Sequence, residues 1–283
     1  MTNQDRWISF RSNPAALAGA FVMLLLILAA IAGPPLMLAY NHCSYATQDF
    51  DNRLQEPNWL HPLGTDTLGR DIVVRVLYGL RISLIVGVVA TLISVIIGAA
   101  YGAISGYLGG WVDDLMMRIL DMIYALPILI LIIILFALFE KNLFLLIATL
   151  GSISWLSMAR IVRGQVLTLR NEQFIDAARL LGASSAQIVW RHILPNTLGP
   201  VIVSATLTVP SVVLGEAFLS FLGLGVQAPL PSLGTLASDG AQVMALFPPL
   251  LLGPAIILIL SLVSLSLVGD GLRDALDPQS RKL

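Results

Sequence analysis

Three histidines (His42, His61 and His192), one cysteine (Cys43) and a thin scatter of carboxylates are all this sequence offers to catalysis or metal binding. His42 stands beside Cys43 and His61 follows, but the spacing fits no standard metal-ligand pattern. No G-x-x-x-x-G-K-[ST] phosphate loop occurs, and the histidines form no catalytic set with a nucleophile, so nothing here hydrolyses nucleotide. The unusual feature is charge in an unexpected place. The stretch "NEQFIDAARLLGASSAQIVWRHILPN", Asn171 to Asn196, carries Glu172, Asp176, Arg179 and Arg191 between long uncharged runs. Two further carboxylates, Glu216 and Asp121, fall in apolar surroundings. Ionisable groups inside a membrane are costly and often functional. Glu216 is a candidate for a pathway or gate, whereas Asp121, beside Arg118, reads as one half of a local charge pair.

Within the charged stretch, Phe174, Ala177, Ala178 and Leu181 fall at i, i+3, i+4 and i+7, an apolar stripe on a short helix. Two alanines make the stripe shallow, so another surface can come close. Gly182 follows, able to take the left-handed conformation that ends a helix. Ser184 then opens a second helix through Ser185, and Gln187 three places on completes a capping box. Ile188, Val189 and Ile193 are placed to lie against a membrane domain, and Pro195 separates this helix from the next span. A solvated loop and an interfacial amphipathic helix are the bland readings. Neither gains from a small-residue stripe joined to a glycine hinge, which favours a docking surface for a cytoplasmic partner.

The elements that position this hairpin follow from composition. The chain has 283 residues, 57% hydrophobic and 12% charged, against about 25% charged in soluble domains. That shortage predicts an all-α, polytopic membrane protein. Net charge is −1, which argues against a nucleic-acid partner. Six stretches are long enough to cross a bilayer, at about 15–39, 82–107, 119–139, 143–158, 197–222 and 247–268. The first resembles a cleavable signal at Ala30–Ala32, but no charge appears between Arg11 and Asp49, and it reads as a retained span. The third and fourth form a tight hairpin around Glu140, Lys141 and Asn142. The glycines and prolines of 223–246 predict an irregular outer loop rather than a seventh span. Gly98, Gly102, Gly106 and Gly110 recur every four residues and predict close helix packing along the second span. In the polar outer segment 41–80, Asp71 and Arg75 stand i,i+4, as for a short surface helix.

Orientation follows from the basic residues, which are retained on the cytoplasmic side. With the N-terminus inside, eleven of the sixteen Lys and Arg fall on inner segments, the charged loop 160–196 among them, and the tail 269–283 is inside too. Burying that loop in lipid is excluded by magnitude. Its four charges and Arg170 would cost about 2.5–3.5 kcal/mol each at mid-bilayer, roughly 12–17 kcal/mol together.

The segment "DAARLLGASSAQIVWRHILPN" resembles the E-A-A-x-x-x-G…I-x-L-P loop of permease subunits in ATP-binding-cassette importers, at Asp176, Ala177, Ala178, Gly182, Leu194 and Pro195. Asp176 stands where glutamate is usual, and Ile193 is one place closer to Leu194 than the general pattern. The R-H-I-L-P-N form, Arg191 to Asn196, resembles the dipeptide/oligopeptide branch. So do "HPLGTDTLGRDIVVRVLYGLRISLIVG" (61–87), "EAFLSFLGLGVQAPLPSLG" (216–234, with Leu233 where tryptophan is common) and "GDGLRDALDPQ" (269–279), which point to its C-type subunit. The resemblance covers nearly the whole chain. It implies a type I importer permease fold and a bacterial plasma (inner) membrane location, with Asp176, Ala177, Ala178, Gly182, Ser184, Ser185, Leu194 and Pro195 in the coupling loop. It implies as partners a second homologous permease, two cytoplasmic ATPases that bind ATP and Mg, and a solute-binding protein facing segment 41–80. Cofactors in this chain are expected to be none. Di- or oligopeptides are the implied cargo, with nickel or other metal chelates and glutathione-like solutes as alternatives. The rivals are an ATP-independent secondary transporter, for which the sequence shows no convincing repeat, and an intramembrane enzyme, for which no catalytic cluster exists.

Overall fold

The computed structural model describes residues 10–276; the end of the expected tail, 277–283, lies outside them. Among the described residues every regular element is a helix, and the β pattern is confined to one isolated bridge, Thr65 to Asp71. Helix α1, Pro14–Asn41, starts where the Asn13 side chain accepts from the amides of Ala15 and Ala16. Helix α2, Ile72–Leu108, is 37 residues long, about 55 Å, well beyond the ~30 Å of a hydrocarbon core. Helices α3, Gly110–Tyr124, and α4, Ile128–Leu138, follow, then α5, Leu143–Leu169, whose first turn Asn142 caps through the amide of Leu145. Helix α6, Gln173–Leu180, leads into α7, Ser185–Phe221. Helices α8, Leu233–Val243, and α9, Pro249–Leu276, complete the chain. Five helices are long and apolar enough to cross a membrane, or six if α3 and α4 count as one bent span.

Several expectations are corrected. The second span does not begin at Ile82 after a separate surface helix; α2 runs unbroken from Ile72. Asp71 caps it by accepting from Val74 N at 2.9 Å, so its carboxylate is not paired with Arg75. The third span is not continuous over 119–139. It bends by 76° at residues 125–127, because Pro127 offers no amide hydrogen and holds Leu126 away from helical geometry. The fourth extends past Met158 to Leu169. Pro195 does not separate two helices. Residues Val189–Ile193 form one π turn, in which Leu194 N donates to the Val189 carbonyl, and the helix runs on through the proline. The outer loop 223–246 is not wholly irregular: Ser232 and Thr235 form a capping box that starts α8, of 11 residues, too short to span. Asp121 pairs with Arg160 at 2.7 Å across α3 and α5 rather than with Arg118. Gly110 lies outside α2, at φ 54° with nothing within 4 Å of a built Cβ, so the ridge of glycines stops at Gly106.

That ridge sets the central helix pair. A Cβ at Gly98 would come within 2.7 Å of the Met158 Cβ, at Gly102 it would overlap the Ala159 carbonyl oxygen, and at Gly106 it would stand 2.9 Å from the Arg163 oxygen. Lipid chains offer helices no hydrophobic drive to associate, so close backbone approach and van der Waals contact hold α2 against α5. At the opposite end, Leu26, Ala30, Ile72, Val76, Leu80, Leu233, Leu236 and Leu250 form one buried cluster, which seats α8 against α1, α2 and α9. Segment 41–80 is tied down by Asp66. Its carboxylate accepts from the Leu68 and Arg70 amides (2.8 and 2.9 Å), from Arg70 Nε (2.7 Å) and from Arg75 Nη1. Burial alone would raise the Asp66 pKa. The Arg75 and Arg70 guanidiniums and the two amides outweigh burial and hold it below the usual carboxylate value.

Candidate functional site

The charged hairpin is α6, a glycine turn and the front of α7. The turn at Gly182 (φ 83°) carries the two hydrogen bonds of a Schellman motif, Ala183 N to Ala178 O at 3.1 Å and Gly182 N to Arg179 O at 3.0 Å. The Ser184 side chain then accepts from Gln187 N, and Gln187 Oε1 accepts from Ser184 N. Both ends of the turn are therefore fixed by local bonds.

The two faces of the hairpin differ. Ile175, Ala178, Ile188 and Ile193 are buried against Ala103, Met158, Val162, Val166 and Val201. Each fully buried isoleucine contributes about 1.5–3 kcal/mol, so the hairpin is packed onto the ends of α2 and α5. The stripe expected from sequence splits. Ala178 turns inward with Ile175, while Phe174, Ala177 and Leu181 face outward beside Leu180, with Leu180 and Leu181 both 89% exposed. Ile175, one residue off the stripe, is the side chain buried in the same cluster as Val162 and Val166. Asp176 pairs with Arg179 at 2.9 Å on the exposed face. Ser184, Ser185 and Pro195 are exposed as well, and Leu194 is half-buried.

A polar anchor lies beneath the hairpin. Arg163 on α5 donates Nε to Asp113 Oδ1 at 2.5 Å and Nη2 to Oδ2 at 2.6 Å, while Ser105 of α2 donates to Oδ1. Arg170 Nη1 donates to the Gly106 carbonyl at 3.1 Å. Arg163 of α5 and Arg170, the residue that caps it, thus grip the turn between α2 and α3.

Glu216 sits near the far end of α7 and has no exposed surface. Ser83 Oγ of α2 donates to its Oε2 at 2.7 Å, and Ser220 Oγ donates to its Oε1 at 2.6 Å. The same Ser83 oxygen accepts from Leu233 N, the first amide of α8, at 3.3 Å. Gly234 brings α8 against the Ala217 backbone, where any Cβ would collide with the carbonyl oxygen. One carboxylate and one hydroxyl therefore join α2, α7 and α8. Between these two sites, at the bend of α3 and α4, a cavity of about 410 Å³ is lined by the hydroxyl side chains of Tyr124, Ser154, Ser157, Ser204, Thr208 and Ser211 together with Ile128, Ile153, Ile161 and Leu207. Ser154 and Thr208 donate to the carbonyls of Leu150 and Ser204 (3.0 and 2.7 Å), which leaves their oxygen lone pairs available to an occupant.

Residues 95–282 match the family described as "Binding-protein-dependent transport system inner membrane component", and residues 3–57 match "N-terminal TM domain of oligopeptide transport permease C". The chain belongs to the binding-protein-dependent transport permeases. Among its relatives, the oligopeptide transport system permease protein OppC of Escherichia coli (strain K12) is 50% identical over 279 residues, covering 98% of this chain and 91% of that one. OppC of Bacillus subtilis (strain 168) is 44% identical over 279 residues, 99% and 90% of the two chains. The dipeptide transport system permease protein DppC of the same strain is 43% identical over 286 residues, 99% and 86%. This permease is a multi-pass, all-helical membrane component of a transport system.

Sequence reasoning about this permease missed the Arg163–Asp113 anchor, the Asp66 clamp and the hydroxyl-lined cavity. The missed signal was an aspartate early in one helix and an arginine beyond the expected end of another, which only the longer α5 brings together. The residues weighed as metal ligands have other partners: His61 Nδ1 lies 2.7 Å from Asp71 Oδ2, and Cys43 Sγ 3.4 Å from the Asn41 carbonyl oxygen. Among the described residues no group of three His, Cys, Asp or Glu could hold a metal ion.

Proposed function

We propose that the chain is one of two permease subunits of an ATP-driven importer of di- and oligopeptides, with both termini in the cytoplasm and a single permease domain over 1–283. The observation that carries the reading is the two-faced hairpin, whose inner face is buried on α2 and α5 while Phe174, Ala177, Leu180 and Leu181 are left for a partner. That partner is one of two cytoplasmic ATPases, which hold the ATP and Mg. Asp176, Ala177, Ala178, Gly182, Ser184, Ser185, Leu194 and Pro195 form or support the docking surface. Closure of the ATPase pair on nucleotide moves the hairpin as a unit. The Arg163–Asp113 anchor carries the motion to α2 and α3, and α7 carries it to Glu216. This chain itself performs no bond-making chemistry. The hydroxyl-lined cavity supplies half of the pathway, its acceptors suited to the amides of a peptide, with a second homologous permease supplying the other half. A solute-binding protein delivers cargo to the side of segment 41–80.

An Arg179→Cys variant tests sidedness and docking together. Its thiol should react with a membrane-impermeant maleimide in inverted vesicles and not in intact cells, and bound ATPase should protect it. Labelling from outside intact cells would overturn the reading.

A further inference from the structure

Arg81 is the last charged residue of α2 before an uncharged run that reaches to Asp113. Its side chain is exposed, and the contact it makes is with the face of the Tyr78 ring, whose centre lies 5.9 Å from the guanidinium carbon. Tyr78 is held in turn by stacking on Tyr45, with ring centroids 4.1 Å apart. None of the ion pairs among the described residues includes Arg81. Beside it runs a crevice of about 450 Å³ whose walls come from α1 (Met23, Ile27, Ile31), α2 (Ile85, Val89) and α9 (Leu265). Every lining side chain other than Arg81 is apolar, and Ile31 and Val88 are 61% and 46% exposed. From Arg81 to Val89 the crevice follows the helix for about 12 Å.

A guanidinium at the edge of hydrocarbon with no counter-ion carries a heavy desolvation cost, which an anion relieves. An apolar slot opening sideways between membrane helices admits a hydrocarbon chain. The two features share one end. We propose that this crevice binds one anionic phospholipid, with its phosphate on Arg81 and an acyl chain along Ile27, Ile31, Ile85 and Val89. Guanidinium and phosphate match as a bidentate pair. A zwitterionic headgroup brings its own ammonium to the arginine and gains less. The lipid would brace α1 against α2 and α9, three helices that meet there without a polar contact from Arg81. This inference stands apart from the coupling mechanism and does not need it.

The test uses the full chain, extracted together with its associated subunits and examined by native mass spectrometry while phosphatidylglycerol or phosphatidylcholine of equal chain length is titrated in. One phosphatidylglycerol should be retained, and Arg81→Gln should weaken that retention about fivefold. Arg81→Lys should keep most of it, which separates charge from folding. Ile31→Trp, which fills the slot and leaves the charge, should also release the lipid. Glycerol phosphate, having the anion without the chain, should not compete. Equal retention by Arg81→Gln, equal retention of phosphatidylcholine, or no effect of Ile31→Trp would each overturn the proposal. So would crosslinking of the second permease by a photoreactive group attached to the thiol of Ile31→Cys, since that subunit would then fill the crevice.

Discussion

Arg163 holds Asp113 through two parallel hydrogen bonds, 2.5 Å at Nε and 2.6 Å at Nη2, and so fastens the fourth membrane span to the helix that follows the second. Asp113 is nearly buried and the arginine about one-third exposed. Removing the guanidinium leaves the carboxylate with Ser105 alone.

Arg163→Ala is therefore expected to cost about 1–3 kcal/mol, less than for a wholly buried pair because water reaches the arginine. The drop in Tm of the extracted protein measures it. Arg163→Lys should recover only part of the loss, since a single ammonium cannot form the fork. Additive effects of Arg163→Ala and Asp113→Asn in a double-mutant cycle would show that the two residues do not act as a pair.

Gly182 is constrained by conformation, not by space. Its φ is 83° and nothing lies within 4 Å of a built Cβ. Gly182→Asn should therefore support transport near the parental rate, because asparagine tolerates the left-handed region. Gly182→Val should lose about 1–2 kcal/mol at the turn and uncouple ATPase activity from transport. Transport assays in proteoliposomes distinguish the two; parental transport by Gly182→Val as well would mean the turn does not matter.

Two glycines of the α2 and α5 helices should respond oppositely to the same change. Gly102→Ala drives a methyl group into the Ala159 backbone and should cost about 1–3 kcal/mol through forced separation of α2 and α5. Gly164→Ala meets nothing within 4 Å and should be neutral or stabilising by up to about 1 kcal/mol, from helix propensity. Thermal unfolding of both in one detergent decides the matter.

Acid should loosen segment 41–80. Asp66 has a lowered pKa in the folded chain relative to its ordinary 3.8, so its contribution is fully present above that ordinary value. It is lost as pH falls from there through the folded value. Proteolysis of segment 41–80 should accelerate over that interval, and Asp66→Asn should be cleaved faster at neutral pH with a flatter acid response. An unchanged acid profile in Asp66→Asn would assign the loosening to other carboxylates.

Legibility in the sequence followed distance along the chain. The Gly182 turn and the Ser184–Gln187 box depend on residues three to five apart, so their chemistry could be read directly. The two prolines show where local reading stops. Pro127 and Pro195 look alike in sequence, yet one ends a helix in a 76° bend and the other is carried within a helix by a π turn. The difference lies in what packs nearby: Ile188, just ahead of the π turn, and Ile193, its last residue, are buried, whereas Leu126 is exposed. Glu216 was visible as a buried charge, but Ser83, its partner 133 residues earlier, was not. Which side of α6 faces the protein also depended on tertiary packing, because an eight-residue helix carrying Phe174, Ile175, Ala177, Ala178 and Leu180 has apolar side chains on most of its circumference.

Because α7 continues unbroken through Pro195, its entry at Ser185 and Glu216 belong to one beam, some 46 Å apart. A swing of about 5° around its midpoint carries each tip through an arc of roughly 2 Å, enough to break the 2.7 Å hydrogen bond from Ser83 of α2 to the carboxylate, while Ser220, on α7 itself, moves with it. Gearing of that kind lets a small shove on one side of the bilayer be felt on the other without any chain of intermediates.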